Sequence, residues 1–274
     1  MNIFDLPKID GHCHVLDPQR FAYPADIAYH PQGQEIGSAD YFKAVMQAYG
    51  TRHALLVGPN SGYGLDNRCL LDAIAHGEGR FKGIAVVRND CSLPALQELA
   101  AQGIVGVAFN PALMGLDFYA DIDPLLSRLA QLGLWAQFQV EADQLASLLP
   151  RIEAAGVRTL IDHCGRPRLA DGPQAPGVRA LERLARSGQG VVKLSGFVKF
   201  SQTGYPFADA HAHVMHLWDT FGPGQCLWAS DWPHLRAPYR LDYGTLLKLA
   251  EQWFTAQQCQ QMMWDTPARL FDWE

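Results

Sequence analysis

Hydrophobic and polar positions follow each other in regular blocks along the whole chain. Eight short runs rich in β-branched and other apolar residues recur about every 30 residues, the length of one strand–helix unit. These runs are 9–15, 53–58, 81–87, 104–109, 134–140, 158–163, 191–197 and 226–231. Because most of them are apolar at successive positions, they predict strands buried on both faces, as in a parallel sheet.

Helical spacing of hydrophobic residues fills the segments between these runs. It is clearest in three of them: 93–102, 123–132 and 143–155. A glycine follows each of the three directly, at the position where a helix commonly ends in a left-handed residue. The chain is therefore predicted to alternate strands with amphipathic helices.

Eight strand–helix units predict an α/β protein, a (β/α)8 TIM barrel that forms a single domain over residues 1–274. A doubly wound sheet is the alternative. That fold usually carries a glycine-rich phosphate loop after its first strand, whereas here the first strand ends in two histidines. The barrel is the better prediction.

The composition narrows the class of partner. The 274 residues are 48% hydrophobic and carry a formal net charge of −6, which favours a small-molecule substrate over nucleic acid or an anionic membrane. No segment has the ~18 consecutive apolar residues of a membrane span, and the N-terminus lacks a signal-peptide pattern. With six scattered cysteines, typical of reduced thiols, this predicts a cytoplasmic protein. The sequence does not distinguish a monomer from a homodimer.

Histidine and aspartate side chains stand at predicted carboxyl ends of strands, where (β/α)8 enzymes carry their active sites. His12 and His14 are two positions apart, so a strand projects both to one side. His163 ends the sixth run and Asp231 ends the eighth. Because the first and last strands of a closed barrel are neighbours, we expect these four residues to form the catalytic site.

Five motifs, in order, resemble the amidohydrolase superfamily. They are Ile-Asp-Gly-His-Cys-His at 9–14, Asp-His-Cys-Gly-Arg-Pro at 162–167, Lys-Leu-Ser-Gly at 193–196, Ala-Ser-Asp-Trp-Pro-His at 229–234 and Thr-Pro-Ala-Arg-Leu-Phe at 266–271. Together with residues 58–67, they are most similar to the lactonase branch typified by 2-pyrone-4,6-dicarboxylate lactonase. The resemblance implies a hydrolase that opens a carboxylated lactone in the catabolism of aromatic compounds.

The resemblance also bears on metal binding. Binuclear amidohydrolases use a lysine or glutamate on strand four and a histidine on strand five, and this chain has neither at 106–110 or 135–140. The pyrone-lactonase type works without metal, so no metal is expected. The alternative is a single zinc or manganese ion held by His12, His14 and Asp231, since catalytic zinc usually takes three protein ligands.

In a metal-free lactonase built from these residues, Asp231 would act as general base on the attacking water. His12, His14 and His163 would donate hydrogen bonds to the developing oxyanion. Asp231 would then return the proton to the leaving ring oxygen.

Five residues of different chemical types are expected to bind substrate. They are Arg166, Tyr29, Asn60, Lys199 and Asn110. Family members bind carboxylates with arginines near the end of strand four, yet 108–114 carries no cation here. Arg166 is then expected to hold one carboxylate, with Lys199 as a second cation and Arg68 or Arg236 as a compensating one.

Several readings stay open beside the lactonase. A metal-dependent decarboxylase of the same superfamily and a sugar-acid lactonase are the alternative enzymes, and a non-catalytic ligand-binding barrel is the alternative of another class. His211, His213 and His216 repeat a histidine pattern, but on a predicted helix over 209–221 they are expected at the surface. Lys193 is expected to order charge beneath the site.

Overall fold

Eight strands alternate with helices along residues 2–27 and 29–273, the part of the chain that the computed structural model describes. The strands are β1 (Lys8–Cys13), β2 (Thr51–Val57), β3 (Phe81–Ala85), β4 (Ile104–Phe109), β5 (Trp135–Phe138), β6 (Thr159–Ile161), β7 (Gly190–Leu194) and β8 (Cys226–Trp228). They form one sheet in the order β1 to β8, and each pairing described is parallel. The predicted (β/α)8 TIM barrel is confirmed.

The helices occupy the segments between the strands. In the described residues they are α1 (Ala39–Ala48), α2 (Arg68–Ala75), α3 (Leu93–Ala101), α4 (Pro111–Met114), α5 (Asp123–Leu132), α6 (Gln144–Ala155), α7 (Pro176–Arg186), α8 (His211–Phe221), α9 (Tyr243–Trp253), α10 (Ala256–Gln260) and α11 (Thr266–Phe271). The glycines predicted to end α5 and α6, Gly133 and Gly156, are left-handed with φ of 66° and 62°, as a glycine cap requires.

Packing divides the chain into two compact units. The first unit is Met1–Val86, Leu99–Val105 and Trp228–Glu274, and the second is Val87–Glu98 and Gly106–Leu227. The first unit therefore carries β1 to β3 and the chain from Trp228 onward, and the second carries β5 to β7 and most of β4 and β8. The single domain expected over residues 1–274 stays a prediction.

Seven of the eight predicted strands run past the C-terminal end of the observed strand, and for two of them the difference concerns a proposed site residue. β6 ends at Ile161 and β8 at Trp228, so His163 and Asp231 lie on the chain just beyond the sheet. Both residues are left-handed, with φ of 52° and 59°, and an extended strand cannot include such a residue. In contrast, β4 has the bounds predicted for it.

The remaining sequence expectations concern helices and thiols. No helix of the described chain is long and apolar enough to span a membrane. All six cysteines are free thiols, as predicted from their spacing.

Candidate active site

In the first unit, the structure brings together two histidines and the aspartate from the far end of the sequence. The Nε2 atoms of His12 and His14 lie 3.3 Å apart. The Asp231 Oδ1 atom is 3.5 Å from the Nε2 of His14 and 3.8 Å from the Nε2 of His12. All three side chains are buried. A carboxylate therefore faces two imidazole nitrogens within ion-pair distance.

Backbone hydrogen bonds hold this group in place. Beyond β8 the chain runs parallel to the end of β1, with Cys13 paired to Trp232. The Asp231 N–H donates to the His12 carbonyl at 2.9 Å, and the His14 N–H donates to the Trp232 carbonyl at 2.8 Å. The left-handed backbone of Asp231 lies between these two bonds, so the carboxylate is fixed on the histidine side of β1.

The hydrogen bonds also assign the tautomers. The Nδ1 atom of His14 lies 2.8 Å from the Val57 carbonyl, which can only accept, so Nδ1 carries the proton. In neutral His14 the Nε2 atom is then a lone-pair acceptor, and the contact at 3.3 Å requires His12 to donate through its Nε2. His14 can donate toward a substrate only as an imidazolium, a refinement of the role predicted for it.

Asp10 is a functional neighbour that the sequence reasoning missed. Its Oδ1 accepts from the backbone N–H groups of His12 and Ser230 at 3.1 and 3.0 Å, and its Oδ2 accepts from the Ser230 hydroxyl at 2.6 Å. The Ser230 hydroxyl in turn accepts from the Trp232 N–H at 2.9 Å. Asp10 thus ties β1 to the residues on both sides of Asp231. Its spacing could have indicated that it lies near the site, because positions 10, 12 and 14 share one face of a strand.

Burial changes the pKa of the Asp10 carboxyl group. Asp10 is fully buried and its partners are neutral, so desolvation raises its pKa to about 6. The hydrogen bonds from Ser230 and His12 act in the opposite direction and lower its pKa. The desolvation cost of the charged form prevails because no cation compensates it among these partners.

In the second unit, His163 stands immediately after β6 and is buried. Its Nδ1 atom lies 3.1 Å from the Ser195 hydroxyl, which fixes the ring orientation. Gly196 is required here, because a β-carbon at that position would lie 2.4 Å from the His163 ring. The Lys-Leu-Ser-Gly motif at the end of β7 therefore positions the histidine that follows β6.

A buried ionic cluster lies below His163. Lys193 donates to the side-chain oxygen of Gln137 at 2.5 Å and pairs with Asp162 at 3.1 Å. The Gln137 amide donates to the other Asp162 oxygen at 2.9 Å. These contacts agree with the expectation that Lys193 orders charge, and they add Asp162 and Gln137, which the sequence reasoning did not assign.

The five residues predicted to bind substrate are divided between the units. Tyr29 and Asn60 belong to the first unit, and the Tyr29 hydroxyl donates to Glu35. Burial is the main cause that raises the pKa of Tyr29 to about 12, and Glu35 adds to it.

The other three belong to the second unit. Arg166 pairs with Glu141 at 3.1 Å, and Lys199 ends a short turn after β7. Asn110 is buried and caps α4 by accepting from the Leu113 N–H at 3.1 Å. Its side-chain oxygen is thus already used by the fold, which reduces its value as a substrate ligand.

The histidines of α8 do not form a site in the described structure. His211 is exposed, whereas His213 turns inward and its Nε2 contacts the Cys164 carbonyl at 3.0 Å. Burial lowers the pKa of His213. His216 is half-buried and pairs with Glu182 at 3.0 Å. The surface position expected for the three histidines is therefore confirmed for His211 and wrong for His213, which packs against the chain after β6.

The chemistry of the first-unit group also suits a metal ion. Two imidazole nitrogens and a carboxylate are a frequent ligand set for catalytic zinc with one open position. His14 donates its other ring N–H to a backbone carbonyl, as metal-bound histidines usually do. His12, His14 and Asp231 therefore fit a single divalent ion. β4 and β5 carry no histidine, cysteine or carboxylate that could hold a second ion.

Comparison with known protein families identifies the family of this chain. The amidohydrolase family model matches residues 9–273, so the chain belongs to the amidohydrolase family, as its five motifs predicted.

The chain is also similar to individual proteins that are named as hydrolases. The chain is 30% identical over 272 residues to 4-sulfomuconolactone hydrolase of Hydrogenophaga intermedia, covering 96% of this chain and 88% of that protein. It is 29% identical over 289 residues to 2-pyrone-4,6-dicarboxylate hydrolase of Comamonas testosteroni, covering 98% and 92%. A probable 2-pyrone-4,6-dicarboxylic acid hydrolase of Acinetobacter baumannii, solved with citric acid, superposes with a TM-score of 0.86 at 27% identity over 97% and 100%.

Proposed function

We propose that this protein is a hydrolase that opens the ring of an anionic lactone, with Asp231 as general base. The observation that carries the proposal is the buried Asp231 carboxylate facing the imidazoles of His12 and His14 at 3.5 to 3.8 Å. Two relatives that match nearly the whole chain are named as lactone hydrolases, and these names support the same reaction class.

In the proposed mechanism, Asp231 removes a proton from water as its oxygen attacks the lactone carbonyl. The new C–O bond converts the carbonyl oxygen into an oxyanion, which protonated histidines stabilise by hydrogen bonds. The ring C–O bond then breaks, and the proton on Asp231 passes to the departing ring oxygen. The product is a hydroxy acid, and Asp231 regains its charge.

We further propose that His163 donates a hydrogen bond to the oxyanion, the role that the Asp-His-Cys-Gly-Arg-Pro motif predicts for it. The Ser195 hydroxyl lies 3.1 Å from the Nδ1 of His163 and fixes the orientation of the ring, which supports this role.

A metal is not needed for this mechanism, and we propose that the protein acts without one. If a divalent ion binds, His12, His14 and Asp231 would hold it, and it would polarise the lactone carbonyl as a Lewis acid. The test is hydrolysis of a lactone panel by chelator-treated protein of measured metal content. The panel comprises 2-pyrone-4,6-dicarboxylate, muconolactones and sugar-acid lactones.

We expect turnover of an anionic lactone that persists after chelation. Hydrolysis that appears only with stoichiometric metal would contradict the metal-free mechanism, and loss of CO2 in place of ring opening would favour a metal-dependent decarboxylase. Binding of a lactone without any turnover would contradict the enzyme and favour a ligand-binding barrel.

A further inference from the structure

The loop that follows Asp231 has an unusual backbone. Asp231, His234 and Arg236 are all left-handed, with φ of 59°, 67° and 57°. The His234 N–H donates to the Asp231 carbonyl at 2.7 Å, and the Ala237 N–H donates to the His234 carbonyl at 3.1 Å. Left-handed residues with a β-carbon are unfavourable and concentrate at functional sites. The two consecutive turns hold Arg236 five residues beyond the proposed base.

Glu35, from the loop after β1, fixes Arg236 in this place. One Glu35 oxygen accepts from the Arg236 backbone N–H at 2.6 Å, and the other accepts from the Tyr29 hydroxyl. The Arg236 guanidinium carbon lies 5.3 Å from the centre of the Tyr29 ring, a distance typical of a cation–π contact. A single carboxylate thus aligns the arginine with a tyrosine expected to bind substrate.

The guanidinium itself has its hydrogen-bond donors available. Within the described residues it forms no ion pair with a carboxylate, whereas Arg240 of the same loop pairs with Asp242 at 2.9 Å and Arg68 pairs with Asp66 at 2.7 Å. Arg236 is exposed, and its guanidinium carbon lies over the Tyr29 ring, so the N–H groups at the edge of the guanidinium can reach a bound ligand. The edge carries the paired N–H groups that bind a carboxylate or sulfonate in bidentate fashion.

We infer that Arg236 is the residue that selects for an anionic lactone, by binding the carboxylate or sulfonate of the substrate. This inference rests on the proposed function and deepens it. It also accounts for the segment 108–114, which carries no cation: the charge is supplied by the loop after β8 instead. The substrate class is a lactone with an acidic substituent that reaches the loop beyond Asp231.

The test compares Arg236→Met with Arg240→Met, a matched control in the same loop. Each variant is assayed on 2-pyrone-4,6-dicarboxylate, on a muconolactone and on dihydrocoumarin, which has no charge. Loss of a charge-assisted hydrogen bond costs about 1.5–3 kcal/mol, or about 10- to 150-fold. We expect Arg236→Met to raise KM for the anionic lactones by that factor, with kcat and the neutral substrate little changed. Arg236→Lys should give an intermediate KM, and Arg240→Met should change neither.

The inference is contradicted if Arg236→Met leaves KM unchanged, or raises it equally for neutral and anionic lactones. Calorimetric titration with 2-pyrone-4,6-dicarboxylate separates this outcome from failure of the proposed function. If the unmodified protein opens no lactone, the hydrolase proposal fails. In that case, a loss of anion affinity of at least about tenfold in Arg236→Met alone would still support the anion site, and equal affinity would overturn it.

Discussion

Two aspartates, one in each unit, show different ways of burying a carboxylate beside a histidine of the proposed site. Asp10 precedes His12 and is held by a hydroxyl and two backbone N–H groups. Asp162 precedes His163 and is held by the Lys193 ammonium and the Gln137 amide. Both are buried, yet only Asp162 faces an opposite charge in these contacts. The difference predicts that the first cluster responds to pH, whereas the second depends on keeping its pair intact.

The largest effect is expected from breaking the ionic cluster. Lys193→Met leaves the Asp162 carboxylate buried without its ammonium partner, and removing one member of a buried pair typically costs about 3–5 kcal/mol of unfolding free energy. Urea unfolding of the variant measures this loss. The double variant Lys193→Met/Asp162→Asn should recover most of the stability, because no charge is then left unpaired. Unchanged stability in Lys193→Met would refute the assignment of Lys193 and Asp162 as a buried ion pair.

The Asp10 cluster should instead make stability depend on pH. The pKa of Asp10 rises from 3.8 to about 6 on folding, so the folded chain binds this proton more tightly than the unfolded chain does. This tighter binding stabilises the folded chain below about pH 4, and the stabilisation is lost as the pH rises through about 6. The free energy of unfolding should fall by up to about 3 kcal/mol over this range.

Urea unfolding between pH 4 and 7 tests this dependence, with Asp10→Asn as the comparison. Asparagine does not titrate, so the fall that Asp10 contributes should be missing from its profile. Parallel profiles for the two proteins would show that Asp10 does not titrate as expected.

A smaller effect is expected at Ser230, whose hydroxyl links the Asp10 carboxylate to the Trp232 N–H. Ser230→Ala removes a hydrogen bond to a carboxylate, worth about 1.5–3 kcal/mol, and loosens the backbone on both sides of Asp231. We expect reduced stability together with a lower kcat, while KM changes little. A fall in stability with full kcat would mean that Ser230 does not position the base.

The smallest effect is expected at the corresponding serine of the second unit. The Ser195 hydroxyl contacts the Nδ1 atom of His163 at 3.1 Å, and a typical hydrogen bond between neutral groups is worth about 0.5–1.5 kcal/mol. Ser195→Ala should therefore lower kcat by no more than about tenfold. A larger loss in Ser195→Ala than in Ser230→Ala would reverse the comparison between the two clusters.

The sequence allowed the fold and the main site residues to be predicted because both leave periodic signals. The recurrence of apolar runs indicated the eight strands, and β4 has its predicted bounds because a glycine and a proline stand close to its two ends. The positions of His12 and His14 on one strand face brought them together as expected. Asp10 has the same spacing, but a buried aspartate without a cation is uncommon, so the pattern alone did not indicate it.

The left-handed backbones of His163 and Asp231 could not be predicted from local sequence. They depend on contacts between segments distant in the chain, such as the pairing of Cys13 with Trp232. The partners of Asp162 are distant in the same way, since Gln137 and Lys193 come from β5 and β7. Long-range pairing, rather than propensity, determined these details.

The role of Asp231 is the central claim, and Asp231→Asn tests it most directly. Its kcat should be measured on the anionic lactone that the unmodified protein hydrolyses fastest, with unfolding curves to show that the variant is folded. Asparagine keeps the shape but cannot accept the proton of water, so we predict a fall in kcat of about 10²- to 10⁴-fold, the usual contribution of a general base. A folded Asp231→Asn variant with normal turnover would contradict the account.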